Sequence, residues 1–209
     1  MNKTKQKILT VSKQLFNKQG YAQVTIRMIA LEMGISPGNL NYHFKKREEI
    51  LECLYFEMVQ EFDERVEALP ETEISFSQIK NDIQTSMERM VLYKFIWTDL
   101  FNILKANAKI SKHFNEVYPK RISGNVFLFE EIQKRKWMRA EKVKGEYKIL
   151  AERMVNFGDT WIYTSELYQR PSRNNRLEGQ VKAMLFMIYP YLTTKGIQEF
   201  EGAFPAWFS

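Results

Sequence analysis

The stretch Gly34-Ile35-Ser36-Pro37-Gly38-Asn39-Leu40-Asn41-Tyr42-His43-Phe44 decides the fold of this chain. Ser36 is a residue type that caps the start of a helix, and Pro37 suits the first helical position, where a missing N–H loses no partner. Leu40 and Phe44 lie four residues apart, so they share one face of a short helix and are predicted to contact a small core. The side chains on its other faces are predicted to be solvent-facing: Asn39, Asn41, Tyr42 and His43.

Amphipathic helices are predicted on both sides of this stretch. The first runs from about Lys3 to Lys18, and a second begins after the N-cap Thr25 and ends at Gly34. Lys45-Lys46-Arg47 leads into a fourth helix, from Glu48 to about Ala68. The order helix, helix, turn, short helix is typical of a helix-turn-helix, whose second helix fits the major groove of DNA.

The net positive charge of the protein is concentrated near its start. Residues 1–50 hold nine Lys and Arg against three Glu, which accounts for the formal charge of +6 of all 209 residues. This distribution predicts a polyanionic partner. Arg27 and the basic run 45–47 flank the short helix, where they are predicted to bind phosphates. Asn39 and Asn41 offer the paired donor and acceptor that adenine prefers, and a phosphate contact is the alternative for either.

Other classes of protein find little support in the sequence. The single Cys53 excludes an internal disulfide, and no apolar run is long enough to cross a membrane, so we expect a cytoplasmic protein. His43 and His113 are the only histidines, and no carboxylate cluster accompanies them, so neither a metal site nor a catalytic triad is predicted. We expect His113 at a surface or helix end. The match of residues 34–38 to the G-x-S-x-G pattern is judged accidental, because a helix precedes it rather than a strand.

Residues 3–51 resemble the DNA-binding domain of the TetR/AcrR family of transcriptional regulators. The resemblance rests on the identity and spacing of Ile8, Leu15, Phe16, Gly20, Tyr21, Thr25, Arg27, Ile29, Ala30, Gly34, Ile35, Ser36, Gly38, Leu40, Tyr42, His43, Phe44 and Glu48. It implies an all-α protein, with a helix-turn-helix DNA-binding domain at 1–47 and a helical effector-binding and dimerisation domain at 48–209. It also implies a ligand-responsive regulator, in the usual case a repressor, that binds a near-palindromic DNA operator as a homodimer, without a cofactor.

The resemblance and the residue pattern together give a set of candidate DNA contacts. These are Thr25, Arg27, Ser36, Pro37, Gly38, Asn39, Asn41, Tyr42, His43, Lys45, Lys46 and Arg47. Two of them depart from the family pattern: Asn41 stands where the family usually has Tyr, and Arg47 stands where it usually has Lys.

The remaining residues resemble the family only in their helical pattern. Aromatic residues among the middle helices are candidates for the effector pocket: Phe95, Trp97, Phe101, Phe127, Phe157 and Trp161. Two long helices, from Glu146 to about Tyr168 and from Asn174 to about Thr194, are predicted to form the dimer contact through Phe157, Trp161, Val181, Leu185, Ile188 and Leu192. Connections are predicted at Pro70 and Pro171, a kink or a new segment at Pro119, and a helix break at Gly196.

Two other functions fit part of the sequence. A helical ligand-binding enzyme or carrier with a basic docking head would need a catalytic constellation, and the sequence offers none. A sequence-independent nucleoid or membrane-surface binder would need only the basic head. Competition between a selected operator and random duplex would separate it from a specific regulator.

Overall fold

The structure is a computed structural model that describes residues 3–67, 74–168 and 173–208. In these ranges it contains helices and no strand, apart from an isolated bridge between Met138 and Leu192. The predicted all-α class is therefore confirmed. The connections predicted at Pro70 and Pro171 lie outside the described residues.

The helices follow one another along the chain with short connections. Their bounds are α1 Lys3–Gln19, α2 Ile26–Met33, α3 Pro37–His43, α4 Arg47–Glu67, α5 Phe76–Leu92, α6 Lys94–Thr98, α7 Leu100–Ala106, α8 Ala108–Lys134, α9 Glu146–Leu167, α10 Arg173–Phe186 and α11 Thr194–Ala203. Single 3-10 turns span Tyr21–Gln23, Tyr189–Tyr191 and Pro205–Trp207. None of the helices in the described ranges has the length and apolar character needed to span a bilayer.

The chain divides into two compact units. The first unit joins Met1–Leu69 to Arg89–Phe114, and the second joins Pro70–Glu88 to Asn115–Ser209. The sequence predicts two domains, residues 1–47 and 48–209. That domain boundary is a different division from the two compact units, and it stays a prediction. The first unit therefore places α4 together with α6 and α7.

The core of the first unit forms from the apolar faces of α1 to α4. Ile8, Phe16, Ile29 and Leu40 are all fully buried, as the helical spacing of their side chains predicts. The ring of Phe16 packs against Tyr21 and, at a centroid distance of 5.1 Å, against Phe95 of α6. The burial of Leu40 fixes which side of α3 faces the core.

The helix pattern of the second unit differs from the sequence prediction in two places. Pro119 does not start a new segment, because α8 continues through it to Lys134. The last predicted long helix ends early, at Phe186 rather than near Thr194, since Pro190 has no N–H to bond the carbonyl of Phe186. A separate helix begins after the N-cap Thr193.

Gly196 was predicted to break a helix, and it lies instead inside the first turn of α11. A Cβ built on Gly196 would lie 1.9 Å from the carbonyl oxygen of Trp137, in the loop between α8 and α9. The same loop binds this segment through main-chain hydrogen bonds, from Thr193 N to Trp137 O (2.9 Å) and from Arg139 N to Tyr191 O (3.0 Å). Gly196 thus allows two stretches of backbone to pack in direct contact.

The aromatic residues near the end of the chain complete the core of the second unit. Phe200 is fully buried, and the rings that surround it are those of Phe76, Phe186, Tyr189, Phe204, Trp207 and Phe208. Offset and edge-on contacts of this kind stabilise a core beyond the area that they bury. The tail therefore packs on the unit's own interior.

Replacing Gly196 with Ala tests this packing. The added methyl meets backbone rather than a flexible side chain, so we expect a loss of about 1–3 kcal/mol or more in the free energy of unfolding. Gly202→Ala is the matched control in the same helix, because a Cβ there meets nothing within 4 Å. It should leave stability unchanged or raise it by up to about 1 kcal/mol. Equal denaturation midpoints for the two variants would contradict the contact.

Candidate nucleic-acid interface

The turn between α2 and α3 is built by local capping. Thr25 Oγ1 accepts a hydrogen bond from Met28 N (3.3 Å) at the start of α2, and Ser36 Oγ accepts one from Asn39 N (3.2 Å) at the start of α3. Gly34 ends α2 with a φ of +68°, a left-handed conformation that glycine adopts without strain. The two predicted N-caps and the predicted glycine stop are therefore confirmed.

The orientation of α3 separates its side chains into two groups. Leu40 is fully buried and Phe44 is 1% exposed, whereas Asn39 and Asn41 are exposed and Tyr42 is 79% exposed. An aromatic side chain that is left so exposed beside two amides is unusual for a helix that serves only the core. The exposed face of α3 thus carries short polar groups and one ring, as expected of a helix that reads a groove.

His43 differs from its neighbours because it is only partly exposed. Its ring lies 5.2 Å from the ring of Tyr42, edge to face. It also lines a cleft of about 500 Å³ beside Lys5, Cys53 and Lys109. His43 is therefore at the border of the exposed face, and Asn39, Asn41 and Tyr42 form its centre.

The basic residues predicted to contact DNA differ in whether their charged groups are exposed or hydrogen-bonded within the protein. Arg27, in the first turn of α2, and Lys45 and Lys46, between α3 and α4, are exposed. The guanidinium of Arg47 is engaged within the protein, where its Nη1 lies 3.1 Å from Tyr21 O, 3.2 Å from Ala22 O and 2.9 Å from Val24 O. The sequence alone gave no sign of this contact, because the acceptors are backbone carbonyls.

The far end of α4 is held by a buried tyrosine. Tyr93 follows α5 and is fully buried, and its hydroxyl lies 2.9 Å from Glu57 Oε1 and 2.7 Å from Glu61 Oε1, two carboxylates of α4. Lys13 of α1 donates to Tyr93 Oη (3.3 Å) and to Glu57 (3.1 Å). Burial raises the pKa of Tyr93 well above its usual range, and the two accepting carboxylates raise it further, so the hydroxyl stays a donor.

The middle of α4 is attached to the start of α8. Glu52 accepts hydrogen bonds from Asn107 Nδ2 (2.9 Å) and Lys109 Nζ (3.3 Å). Tyr55 Oη lies 3.0 Å from Nδ1 of His113. His113, which was expected at a surface or helix end, is a half-buried partner of α4. No group of three or more metal-ligating residues occurs in the described part of the chain.

Models of two protein families match the chain. The model of bacterial regulatory proteins of the tetR family matches residues 8–54, and the model of a bacterial transcriptional repressor matches residues 57–200. The chain belongs to the TetR family of transcriptional regulators. Regulators of this family are DNA-binding transcription factors and not enzymes, so the alternative of an enzyme with a docking head is excluded.

Individual transcriptional regulators are similar to this chain over different lengths. The HTH-type transcriptional regulator YerO of Bacillus subtilis (strain 168) is 31% identical over 124 residues, 56% of this chain but only 42% of that relative. A TetR-family regulator from Marinobacter aquaeolei VT8 has a TM-score of 0.85 at 20% identity, covering 98% of this chain and 97% of its own. A regulator from Saccharomonospora viridis, solved in complex with choline, has a TM-score of 0.68 at 20% identity, with 92% and 98% covered.

The candidate pocket residues differ in burial and in location. Phe95 and Trp97 are buried and Phe101 is 76% exposed, all in the first unit. In the second unit, Trp161 is buried, Phe157 is half-buried and Phe127 is 61% exposed. Their role in binding an effector stays a prediction.

The candidate dimer residues are mostly inside the second unit. Trp161, Val181, Leu185, Ile188 and Leu192 are each less than 10% exposed within one protomer. These five side chains belong to the core of the protomer, and the place of a dimer contact stays a prediction. The apolar side chains exposed on α9 are Ile149, Tyr163 and Leu167.

Replacing Leu40 with Ala tests the orientation of α3. Emptying this fully buried site should lower the free energy of unfolding by about 2–5 kcal/mol. Leu31→Ala is the matched control, because Leu31 of α2 is 82% exposed and should change stability by less than about 0.5 kcal/mol. Urea denaturation measures both, and a Leu40→Ala protein as stable as the wild type would mean that α3 is turned the other way.

Proposed function

We propose that this TetR-family regulator is a repressor that binds a near-palindromic operator as a homodimer and releases it in response to a small-molecule effector. The observation that carries the proposal is the exposed face of α3. Asn39, Asn41 and Tyr42 face solvent there, and the basic side chains of Arg27, near the start of α2, and of Lys45 and Lys46, just after α3, are exposed as well.

This arrangement supports specific rather than purely electrostatic binding. Phosphate contacts position a protein on DNA, whereas sequence is read by side chains that reach base edges. Asn39 and Asn41 carry amide groups of the kind that pair with adenine in the major groove. Two copies of α3 in successive major grooves would be roughly 34–36 Å apart, which requires an operator with two-fold symmetry.

The contacts of α4 support a route from effector to DNA. Its first residue, Arg47, binds the turn before α2, and its later residues bind Tyr93, Asn107 and His113. A shift of the segment that contains these partners would therefore displace α4, and with it the position of α2 and α3. Effector binding in the 48–209 region would act by favouring one position of α4 over another.

A small organic molecule is the proposed effector. The similar regulator from Saccharomonospora viridis was solved in complex with choline, a small molecule of this kind. In this chain the candidates for the lining are considered unit by unit: Phe95, Trp97 and Phe101 in the first unit, and Phe127, Phe157 and Trp161 in the second. The buried indole N–H of Trp97 meets no acceptor among the described residues, so it is a donor that an effector can use.

The proposed dimer contact uses the exposed face of α9. Ile149, Tyr163 and Leu167 lie on one stripe of the helix with Asn156 and Thr160 between them, and all five are exposed. An antiparallel crossing of two such helices at a two-fold axis would place the apolar start of one against the apolar end of the other. This face is self-complementary, as a symmetric contact requires.

Replacing Asn39 or Asn41 with Ala tests base reading by α3. If the residue reads a base, affinity for an operator selected from random duplexes should fall by about 1–3 kcal/mol, and the preference at one base pair should relax. Gel-shift titrations with the selected duplex and its single-base variants measure both quantities.

Asn81→Ala is the control for these titrations, because Asn81 is an exposed amide on α5, outside the helix-turn-helix. It should bind the operator like the wild type. A uniform loss of affinity across all duplexes would identify a phosphate contact instead. If random duplex competed as well as the selected operator, the protein would be a sequence-independent binder and the proposed function would be wrong.

Replacing Leu167 with Arg tests the dimer face. A charge placed at the apolar end of α9, against the apolar start of the partner helix, should leave the protein monomeric at micromolar concentration, as measured by sedimentation equilibrium. Val143→Arg is the control, since Val143 is 62% exposed in the loop before α9. It should leave the dimer intact. If the Leu167→Arg protein were still a dimer, the dimer contact would lie elsewhere and not on this stripe of α9.

A further inference from the structure

The contacts of Arg47 do not fit the role that its position suggests. A basic residue at the start of α4, beside the exposed Lys45 and Lys46, is expected to bind DNA phosphate. Its side chain is instead only 25% exposed, and the guanidinium is directed back into the first unit. One nitrogen, Nη1, shares its two hydrogens among the carbonyls of Tyr21, Ala22 and Val24, at 2.9–3.2 Å.

The aromatic ring of Tyr21 holds the guanidinium from a second direction. Cζ of Arg47 lies 4.2 Å from the centroid of this ring, within the distance of a cation–π contact. Tyr21 is itself buried and packs edge-on against Phe16 of α1. Arg47 is therefore held by the three carbonyl oxygens and by the ring of Tyr21. Both contacts are present in the protein without DNA.

The three carbonyls belong to the segment that leads into α2. Residues 21–23 form the 3-10 turn after α1, and Val24 precedes Thr25, which caps α2. The start of α2 carries Arg27, a candidate DNA contact. By binding this turn, the first residue of α4 fixes the start of α2 relative to α4.

We propose that Arg47 is a positioning residue, which fixes the helix-turn-helix on α4 by binding three backbone carbonyls, and that it is not a phosphate contact. This inference rests on the proposed DNA binding. It assigns the phosphate contacts near α3 to Arg27, Lys45 and Lys46. It also explains why arginine stands where the family usually has lysine. The ammonium of lysine ends one bond short of Nη1 and lacks the planar group that stacks on Tyr21.

Arg47→Lys separates the two roles, because it keeps the charge and removes the fork. Dissociation constants for a selected operator are measured at several salt concentrations, under conditions where circular dichroism shows each protein to be folded. We expect Arg47→Lys to weaken binding on the order of tenfold, as misplacing one base contact would. The slope of log K against log [salt] should stay that of the wild type, because residue 47 itself makes no phosphate contact and lysine keeps its charge.

Lys46→Gln is the comparison for a phosphate contact, and it should reduce the salt slope by about 1.8, because each protomer of the dimer loses one contact. If Arg47→Gln reduces the slope by the same amount and Arg47→Lys restores wild-type binding, Arg47 binds phosphate and the proposal is wrong. An Arg47→Lys protein with both the affinity and the salt slope of the wild type also overturns it. A residue that served only stability would change the melting temperature and leave the affinity of the folded protein unchanged.

A measurement on the wild-type protein covers the case in which Arg47→Lys does not fold. Phenylglyoxal modifies accessible guanidinium groups, and mass spectrometry follows Arg27 and Arg47 in the same sample. We expect Arg27 to react quickly in the free protein and to be protected by operator, and Arg47 to react slowly with or without DNA. Rapid modification of Arg47 in the free protein, with protection by operator, overturns the proposal. If the protein binds no duplex, the proposed function is wrong. The rate at which Arg47 is modified in the free protein then still tests whether its guanidinium is held by the carbonyls.

Discussion

The position of α4 depends on polar contacts that are spread along its length. Arg47 at its start binds the turn before α2, Glu52 and Tyr55 in its middle bind the start of α8, and Glu57 and Glu61 bind Tyr93. Hydrogen bonds of this kind to charged groups are directional, and leaving one partner buried alone costs more than the bond itself contributes. A movement of α4 therefore has to exchange several contacts together.

In the proposed function, this constraint connects DNA binding with the response to an effector. The apolar faces of α1 to α3 pack together as part of the core of the first unit. The contacts of α4 join these helices to residues 89–114, which belong to the same compact unit. A two-state shift of α4 is the simplest device by which an effector can change DNA affinity, because a ligand only shifts an equilibrium between states that it binds unequally.

Much of the first unit was predictable from sequence because local rules determine it. Ser36, Thr25 and Gly34 define helix ends through their own side-chain and backbone chemistry, and Leu40 with Phe44 defines the buried face of α3. The contacts of Arg47 and His113 were not predictable, since their partners are distant in sequence and, for Arg47, are backbone atoms. A run of basic residues predicts a positively charged surface. It does not show which of these side chains, here Arg47, already binds other groups of the protein.

The second unit was less predictable because its apolar helices carry no such local signals. The burial of Val181, Leu185 and Ile188 in the protomer, and the entry of a new helix at Thr193, follow from packing against elements far along the chain. A helix that is apolar on two faces does not show which face meets a partner. Gly196 illustrates the same limit, since glycine ends many helices and here serves close contact with the backbone of Trp137.

In the proposed function, the exposed face of α3 reads DNA while α4 holds the helix-turn-helix in place. A crystal structure of the homodimer with a selected operator tests this most directly. We expect α3 in the major groove, Asn39 and Asn41 within hydrogen-bond distance of the DNA, and the guanidinium of Arg47 still on the carbonyls of Tyr21, Ala22 and Val24. A complex with the duplex on another surface, or with α3 outside the groove, would contradict it.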